Sequence, residues 1–387
     1  MYTLLLAVIY LAFISLGLPD SLLGAGWPVM HSFFGVPLSS AGVVSMIISC
    51  STIVSSLASE RLTKKLGAQH VTLLSVLLTA AALFGFSRSA HFPILCLWAV
   101  PYGLGAGSID AALNNYVALH YSSRHMSWLH CFWGVGTIVS PYVMSYALTY
   151  ATWQAGYRTV SLIQLGIALI LGLTLPLWRK SGTAGADGTG GKVLGLSGAL
   201  RIHGVPHLLL GFLCYCAAEG TCMLWTASYL IEIRGLSEQR AAAFAALFFI
   251  GMTVGRFLSG FLADRVGDRN MIRAGAAVLS VGIVLIAVRS LPEELTLAGF
   301  LVIGLGCAPI YPSIIHATPA NFGVEHSQAI IGIQIAGAYT GSTLGPPLFG
   351  AIASAAGLEI LPLYLAFFAA MMVLMTELTY IKTRKGT

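Results

Sequence analysis

Gly255-Arg256-Phe257-Leu258-Ser259-Gly260-Phe261-Leu262-Ala263-Asp264-Arg265-Val266-Gly267-Asp268-Arg269 closes one apolar run and stands just before the next. It reads as the last turns of an apolar helix followed by a short charged turn. Its glycines let helices approach closely in a membrane, where small residues replace the hydrophobic effect as the means of packing. Gly67 stands 200 residues before Gly267, at the end of Ser59-Glu60-Arg61-Leu62-Thr63-Lys64-Lys65-Leu66-Gly67. This earlier copy is degenerate: it has no aspartate, so an ion-pair latch is expected only in the later one.

Working outward, the same offset recurs. Asp20 matches Glu219, Trp27 matches Trp225, Leu38-Ser39 matches Leu236-Ser237, and Gly103-Leu104-Gly105 matches Gly304-Leu305-Gly306. A near-constant spacing over several segments indicates two related halves. The apolar segments run approximately over 3–30, 39–60, 69–87, 92–119, 127–150, 157–178, 206–232, 239–263, 271–289, 295–319, 327–353 and 359–381. Each is long enough for a helix that spans a bilayer and far too long for a barrel strand. The expected fold is an all-α membrane protein of twelve transmembrane helices in two pseudo-symmetric six-helix bundles.

Composition agrees. The 387 residues are 57% hydrophobic and 9% charged, against about 25% charged in soluble domains. Twelve spans and short loops leave no room for a soluble domain. The N-terminus enters an apolar run at once and is read as the first helix, not a removable leader. The most polar stretch, around Ser181-Gly182-Thr183-Ala184-Gly185, divides the chain. The expected domains are a bundle over 1–178, a linker over 179–205 and a bundle over 206–387. Loops after even-numbered spans, with the C-terminus, hold fourteen of the 20 basic residues, among them Arg61, Lys64, Lys65, Lys192 and Lys385. Loops after odd-numbered spans hold five: Arg88, Arg158, Arg234, Arg240 and Arg289. The positive-inside rule then puts both termini and the linker in the cytoplasm of a multi-pass protein of the cell membrane, expected to be a bacterial inner or plasma membrane. This bias, not nucleic acid, accounts for the net charge of +6. The 7 cysteines all lie in apolar segments without zinc-like spacing and are read as small core residues. No metal or cofactor is expected.

Three acids fall within spans: Asp20, Asp110 and Glu219. A charged acid at that depth costs about 3 kcal/mol or more. Desolvation disfavours the charged form of a carboxyl, which makes such acids candidate proton carriers. Asp20 follows Gly17-Leu18-Pro19, which loosens helix 1. Tyr102, Ala106, Asp110 and Asn114 form a stripe at i, i+4 spacing on helix 4. Tyr215, Glu219, Cys222 and Thr226 do so on helix 7. Such stripes face a bundle interior or a water-filled cavity. The competing reading is static hydrogen bonding between helices. His130 fits a proton relay or a packed histidine, and His316 is similar. Pro309-Ile310-Tyr311-Pro312 is expected to break helix 10.

The segment 255–269 resembles the signature Gly-x-Leu-Ala-Asp-Arg-x-Gly-Arg-Arg of the major facilitator superfamily. That resemblance implies a gate at the 8–9 loop built from Asp264, Arg265, Arg256, Gly260 and Gly267. A narrower resemblance comes from Gly103-Leu104-Gly105-Ala106-Gly107-Ser108-Ile109-Asp110-Ala111-Ala112-Leu113-Asn114 and Trp128-Leu129-His130-Cys131-Phe132-Trp133-Gly134-Val135-Gly136. These look like helices 4 and 5 of the fucose permease-like branch, which includes sodium-dependent glucose transporters. Members carry an acid on helix 1 and an acid followed four residues later by Asn on helix 4; Asp20, Asp110 and Asn114 match. In that branch the two acids are tied to proton coupling and sugar contact.

A sugar site needs flat apolar plates and amide or acid groups for hydroxyls. Trp27, Asn114, Asn115, Glu219, Trp225, Tyr311 and Gln334 are the candidates, with interfacial anchoring the rival reading for the tryptophans. The expected function is proton-coupled secondary transport of a small polar solute, most plausibly a monosaccharide, by alternating access. Asp20, Asp110, Glu219 and His130 are the candidate coupling residues. The alternatives are an exporter of amphipathic compounds or drugs by proton antiport, and a Na+-coupled sugar symporter. The expected partners are the solute, H+ or Na+, and lipid, not nucleic acid, with the chain acting as a monomer. Nothing in the sequence suggests an enzyme.

Overall fold

A computed structural model describes residues 2–181 and 194–384. Among the described residues there are no strands and twelve long helices, two of them broken. They are α1 (Tyr2–Gly17 continued by Leu22–Phe34), α2 (Ala41–Leu66), α3 (Ala68–Arg88), α4 (Phe92–His120), α5 (Ser123–Tyr150), α6 (Trp153–Ser181), α7 (Val205–Arg234), α8 (Glu238–Val266), α9 (Asp268–Ala287), α10 (Glu293–Cys307 continued by Ile310–His316), α11 (Val324–Ala356) and α12 (Leu361–Arg384). Eleven are long and apolar enough to cross a membrane. The exception, α11, is 33 residues long but carries Ser327, Gln328, Gln334, Thr340 and Ser342. The side chains turned outward are apolar: Leu97, Leu169, Leu173 and Leu363 are each more than 60% exposed. A soluble protein hides such residues; a bilayer solvates them. The chain is an all-α, multi-pass membrane protein.

Both breaks fall at prolines, as expected. Pro19 has no N–H to give the carbonyl of Ser15, four residues back, and its ring clashes with the helical path there. The freed Ser15 carbonyl accepts instead from Gln164 Nε2 of α6 at 2.7 Å, and Gln164 is fully buried. In α10 the helix stops at Cys307 and restarts after Pro309. The Cys307 carbonyl accepts from the Tyr215 hydroxyl of α7 at 2.9 Å. Irregular backbone inside a membrane persists only where such partners satisfy it.

The 200-residue repeat is also a repeat of backbone geometry. A Cβ on Gly103 would lie 2.2 Å from the Ile48 carbonyl oxygen; one on Gly304 would lie 2.1 Å from that of Phe248. A Cβ on Gly105 would meet Thr79 and the Ser75 carbonyl; one on Gly306 would meet Leu279 and the Gly275 carbonyl. Each partner is shifted by 200. Gly67 and Gly267, at the two repeated turns, have φ of +78° and +80° with the same ψ of 152°.

By packing, the chain forms two units: Met1–Tyr116 with Leu129–Gly195, and Val117–Trp128 with Leu196–Thr387. In the first, α3 lies along α6, and the Ser161 hydroxyl donates to the Ala80 carbonyl at 2.8 Å. Glu60, buried at the end of α2, accepts from Lys64 Nζ at 2.9 Å and from the backbone N–H groups of Leu194 and Gly195 at 2.8 and 3.0 Å. In the second, α7 packs on α11 and α12, and α10 packs on α8 and α9. The glycine-rich part of the expected linker, 182–193, lies outside the described residues, as does Lys385.

Candidate functional site

The first unit gathers its polar groups around the break in α1 and the middle of α4. Asp20 sits in the break itself, between Gly17 and Leu22. Its carboxylate accepts from the Tyr102 hydroxyl at 2.7 Å and from Trp133 Nε1 at 2.9 Å. The side chain is exposed. A carboxylate exposed halfway along a span opens onto water, not lipid. Ser15, Pro19, Thr79, Tyr102, Ala106 and Ile109 line a small cavity beside it.

Asp110 is buried. Asn114 Nδ2 donates to its Oδ1 at 2.6 Å and to its backbone carbonyl at 2.9 Å. With the amide assigned in that sense, Asn114 Oδ1 accepts from His130 Nε2 at 3.1 Å, which places a proton on that ring nitrogen. The Phe13 ring meets His130 edge-on at 5.5 Å. Asp110 is therefore the end of a buried polar chain that crosses from α4 to α5. Among the described residues neither Asp110 nor Asp20 has an ion-pair partner.

The second unit is built differently. Glu219 on α7 meets a cation, Arg256 of α8, at 3.4 Å, and both side chains are buried. Tyr215, Cys222 and Thr226, the rest of the α7 stripe, are buried as well. Tyr311 stacks beside Phe212 at 4.7 Å. Trp225 Nε1 donates to the Pro346 carbonyl at 3.0 Å, and its ring packs on Phe349. Gln334 is fully buried, with Oε1 accepting from the Thr318 hydroxyl at 3.0 Å.

The charged turn after α8 forms a third cluster. Asp264 accepts from the Arg124 backbone N–H and the Ser122 hydroxyl, each at 3.0 Å, and pairs with Arg124 Nε at 3.2 Å. Arg265 is exposed and makes no ion pair among the described residues. Gly260 gives its space to Trp128, whose Nε1 would lie 2.1 Å from a Cβ there. Gly267 caps α8 at its positive φ. Glu377 of α12 is forked between Arg269 and Arg273, both contacts at 2.6 Å.

The structure thus brings Asp110, Asn114 and His130 together, and Glu219 with Arg256. Asp20 stands with Tyr102 and Trp133. Trp27 is 4% exposed, packed against Phe92, and Asn115 is buried in α4. Arg256, read from the sequence as part of the gate, lies in the core of its unit. Reading the residues missed Trp133, Ser122, Arg124 and Asp268 as contributors. Trp133 stands in a quoted segment, but nothing in spacing alone ties it to an aspartate 113 residues away.

Comparison with known proteins fits this architecture. The family model described as Major Facilitator Superfamily matches residues 9–246 and 208–386. An uncharacterized transporter, y4wD of Sinorhizobium fredii, is 27% identical, covering 90% of this chain and 91% of the relative. The cis,cis-muconate transport protein of Acinetobacter baylyi is 23% identical over 75% of this chain and 73% of the relative. In fold, the solved E. coli fucose:proton symporter, FucP, superposes with a TM-score of 0.77 at 17% identity, covering 98% of this chain and 99% of that one. The two matched halves, the broken helices and the glycine-bearing turn at Asp264 have one reading: this chain is a transporter, not an enzyme, and belongs to the Major Facilitator Superfamily.

Proposed function

We propose that the protein is a proton-coupled secondary transporter of a small polar solute, a monosaccharide in the leading reading, in a cell membrane with both termini cytoplasmic. The observation that carries the coupling is the buried chain Asp110–Asn114–His130, in the same unit as an exposed Asp20. Asp20 takes up a proton where water reaches it. Asp110 holds one where water does not. A proton at either site removes a charge that the unit otherwise keeps in place without a cation. Because proton and solute bind the two conformations of the cycle unequally, each shifts the equilibrium for the other. Trp27, Asn115, Trp225, Tyr311 and Gln334 supply the aromatic and amide groups that a sugar requires. The fold shared with FucP supports this reading.

A second reading has its own support. Arg256 is a buried guanidinium 3.4 Å from Glu219, and a buried guanidinium is suited to hold a solute carboxylate bidentately. The muconate transport protein among the relatives favours a carboxylate solute in that role.

Purified protein in liposomes, given a panel of monosaccharides and small carboxylates under an imposed proton or sodium gradient, tests both. Sugar uptake driven by the proton gradient, abolished as net accumulation but kept as exchange in Asp110→Asn, is the expected result. Accumulation that survives Asp110→Asn rules out its coupling role. Uptake of carboxylates alone, lost in Arg256→Gln, selects the second reading.

A further inference from the structure

Asp268 departs from the signature quoted above, which has arginine at that position. The structure shows what the aspartate does. Its Oδ1 accepts from the Ser123 hydroxyl at 2.5 Å, and its Oδ2 faces His316 Nδ1, at the end of α10, at 2.7 Å. The other ring nitrogen, His316 Nε2, faces the Tyr121 carbonyl at 3.1 Å. Both partners of the imidazole are therefore acceptors. A neutral imidazole carries one N–H and cannot donate to both. The arrangement closes only with one more proton, either on the ring or on Asp268. Without it, two lone pairs face each other across one of these contacts.

We infer that Asp268 and His316 form a proton-holding clasp on the segment Val117–Trp128, so that the release of this segment during transport requires loss of one proton to solvent at that end of the molecule. His316 is a positioning residue: it acts through the Tyr121 carbonyl and, by way of Asp268, through Ser123. The clasp is separate from Asp20 and Asp110, which lie in the other packing unit.

Its charged surroundings are defined on every side. From the α4–α5 turn come Arg124 and His125, with Arg124 already engaged by Asp264. From the α8–α9 turn come Asp264, which acts on His316 through space, and the exposed Arg265. From α9 and α12 come Arg269 and Arg273, which are forked onto Glu377, and Tyr380, which senses Asp268. Arg124, Arg269 and Arg273 thus have carboxylates of their own.

Asp268→Asn gives a sharp test. The amide can donate to His316 Nδ1 while Nε2–H donates to Tyr121, so the clasp closes with no extra proton. Amide hydrogen exchange over residues 117–128, measured on the full-length protein in nanodiscs and corrected for intrinsic rates, is the readout. In the wild type, protection should fall between pH 5 and pH 8, with a limiting slope of about tenfold per pH unit for one proton lost per clasp. Asp268→Asn should stay protected and flat over that range. His316→Ala should be unprotected at both pH values, with far-UV circular dichroism confirming that it is folded. A flat wild-type profile, or an Asp268→Asn profile with the wild-type slope, overturns the inference.

Discussion

At the scale of single residues, polar side chains satisfy carbonyls at both helix breaks. Gln164 and Tyr215 each reach a carbonyl at a helix break. Gln164→Leu leaves the Ser15 carbonyl without a donor in an apolar bundle, at a cost of about 1–3 kcal/mol. Ser161→Ala removes a donor to Ala80, whose carbonyl lies inside the unbroken α3. Thermal unfolding in detergent should therefore show a clear loss for Gln164→Leu and a much smaller one for Ser161→Ala. Equal losses would mean that the break in α1 does not set the cost. The break itself was legible in the sequence, because proline acts on its own neighbours in the chain. Its partner was not, because Gln164 is 149 residues away from Ser15. Asp20 follows the same pattern: its depth could be read from the apolar run around it, but Tyr102 and Trp133 could not be read from spacing.

At the scale of helices, glycine fixes how closely neighbours pack. Gly103 and Gly304 each leave a carbonyl oxygen just over 2 Å from where a Cβ would stand. Backbone cannot swing aside as a side chain can, so an alanine forces α4 from α2, or α10 from α8. Gly103→Ala and Gly304→Ala should each destabilise by about 1–3 kcal/mol. Gly166→Ala in α6, where nothing lies within 4 Å, should be neutral or slightly stabilising. Thermal midpoints of the three variants check this; a well-tolerated Gly304→Ala would mean that the helices separate freely. The paired glycines at a constant offset were visible in the sequence as a pattern. Which helix each one touches required the fold. The helix α11 shows the converse: its glutamines and serines dilute its hydropathy, yet it packs on α7 like any other member of its bundle.

At the scale of the molecule, packing and sequence divide the chain at different places. Val117–Trp128 belongs to the first half by sequence and to the second unit by contact. The Arg124–Asp264 pair is one of the contacts that put it there. Its side chains are 43% and 27% exposed, so the pair alone contributes no more than about 1 kcal/mol. Arg124→Gln should leave the thermal midpoint almost unchanged while altering the rate of solute exchange in liposomes. A large fall in stability with unchanged exchange would assign the pair a purely structural part. The sequence marked Asp264 through its resemblance to a family signature. It gave no sign that Arg124, from the opposite half, is the cation Asp264 meets, since that depends on how the chain closes on itself.

Glu60 carries a consequence for synthesis. It stands one helical turn before Lys64, the position at which the first copy of the charged turn has lost its aspartate, and it holds the N–H groups of Leu194 and Gly195. Every residue needed for that fastening is translated before α7, which begins at Val205. The first half can therefore tie off its own trailing end while most of the second is still untranslated, as expected for domains that mature in the order of their synthesis. A newborn chain enters the membrane in two instalments, and this carboxylate marks the point where the first is complete.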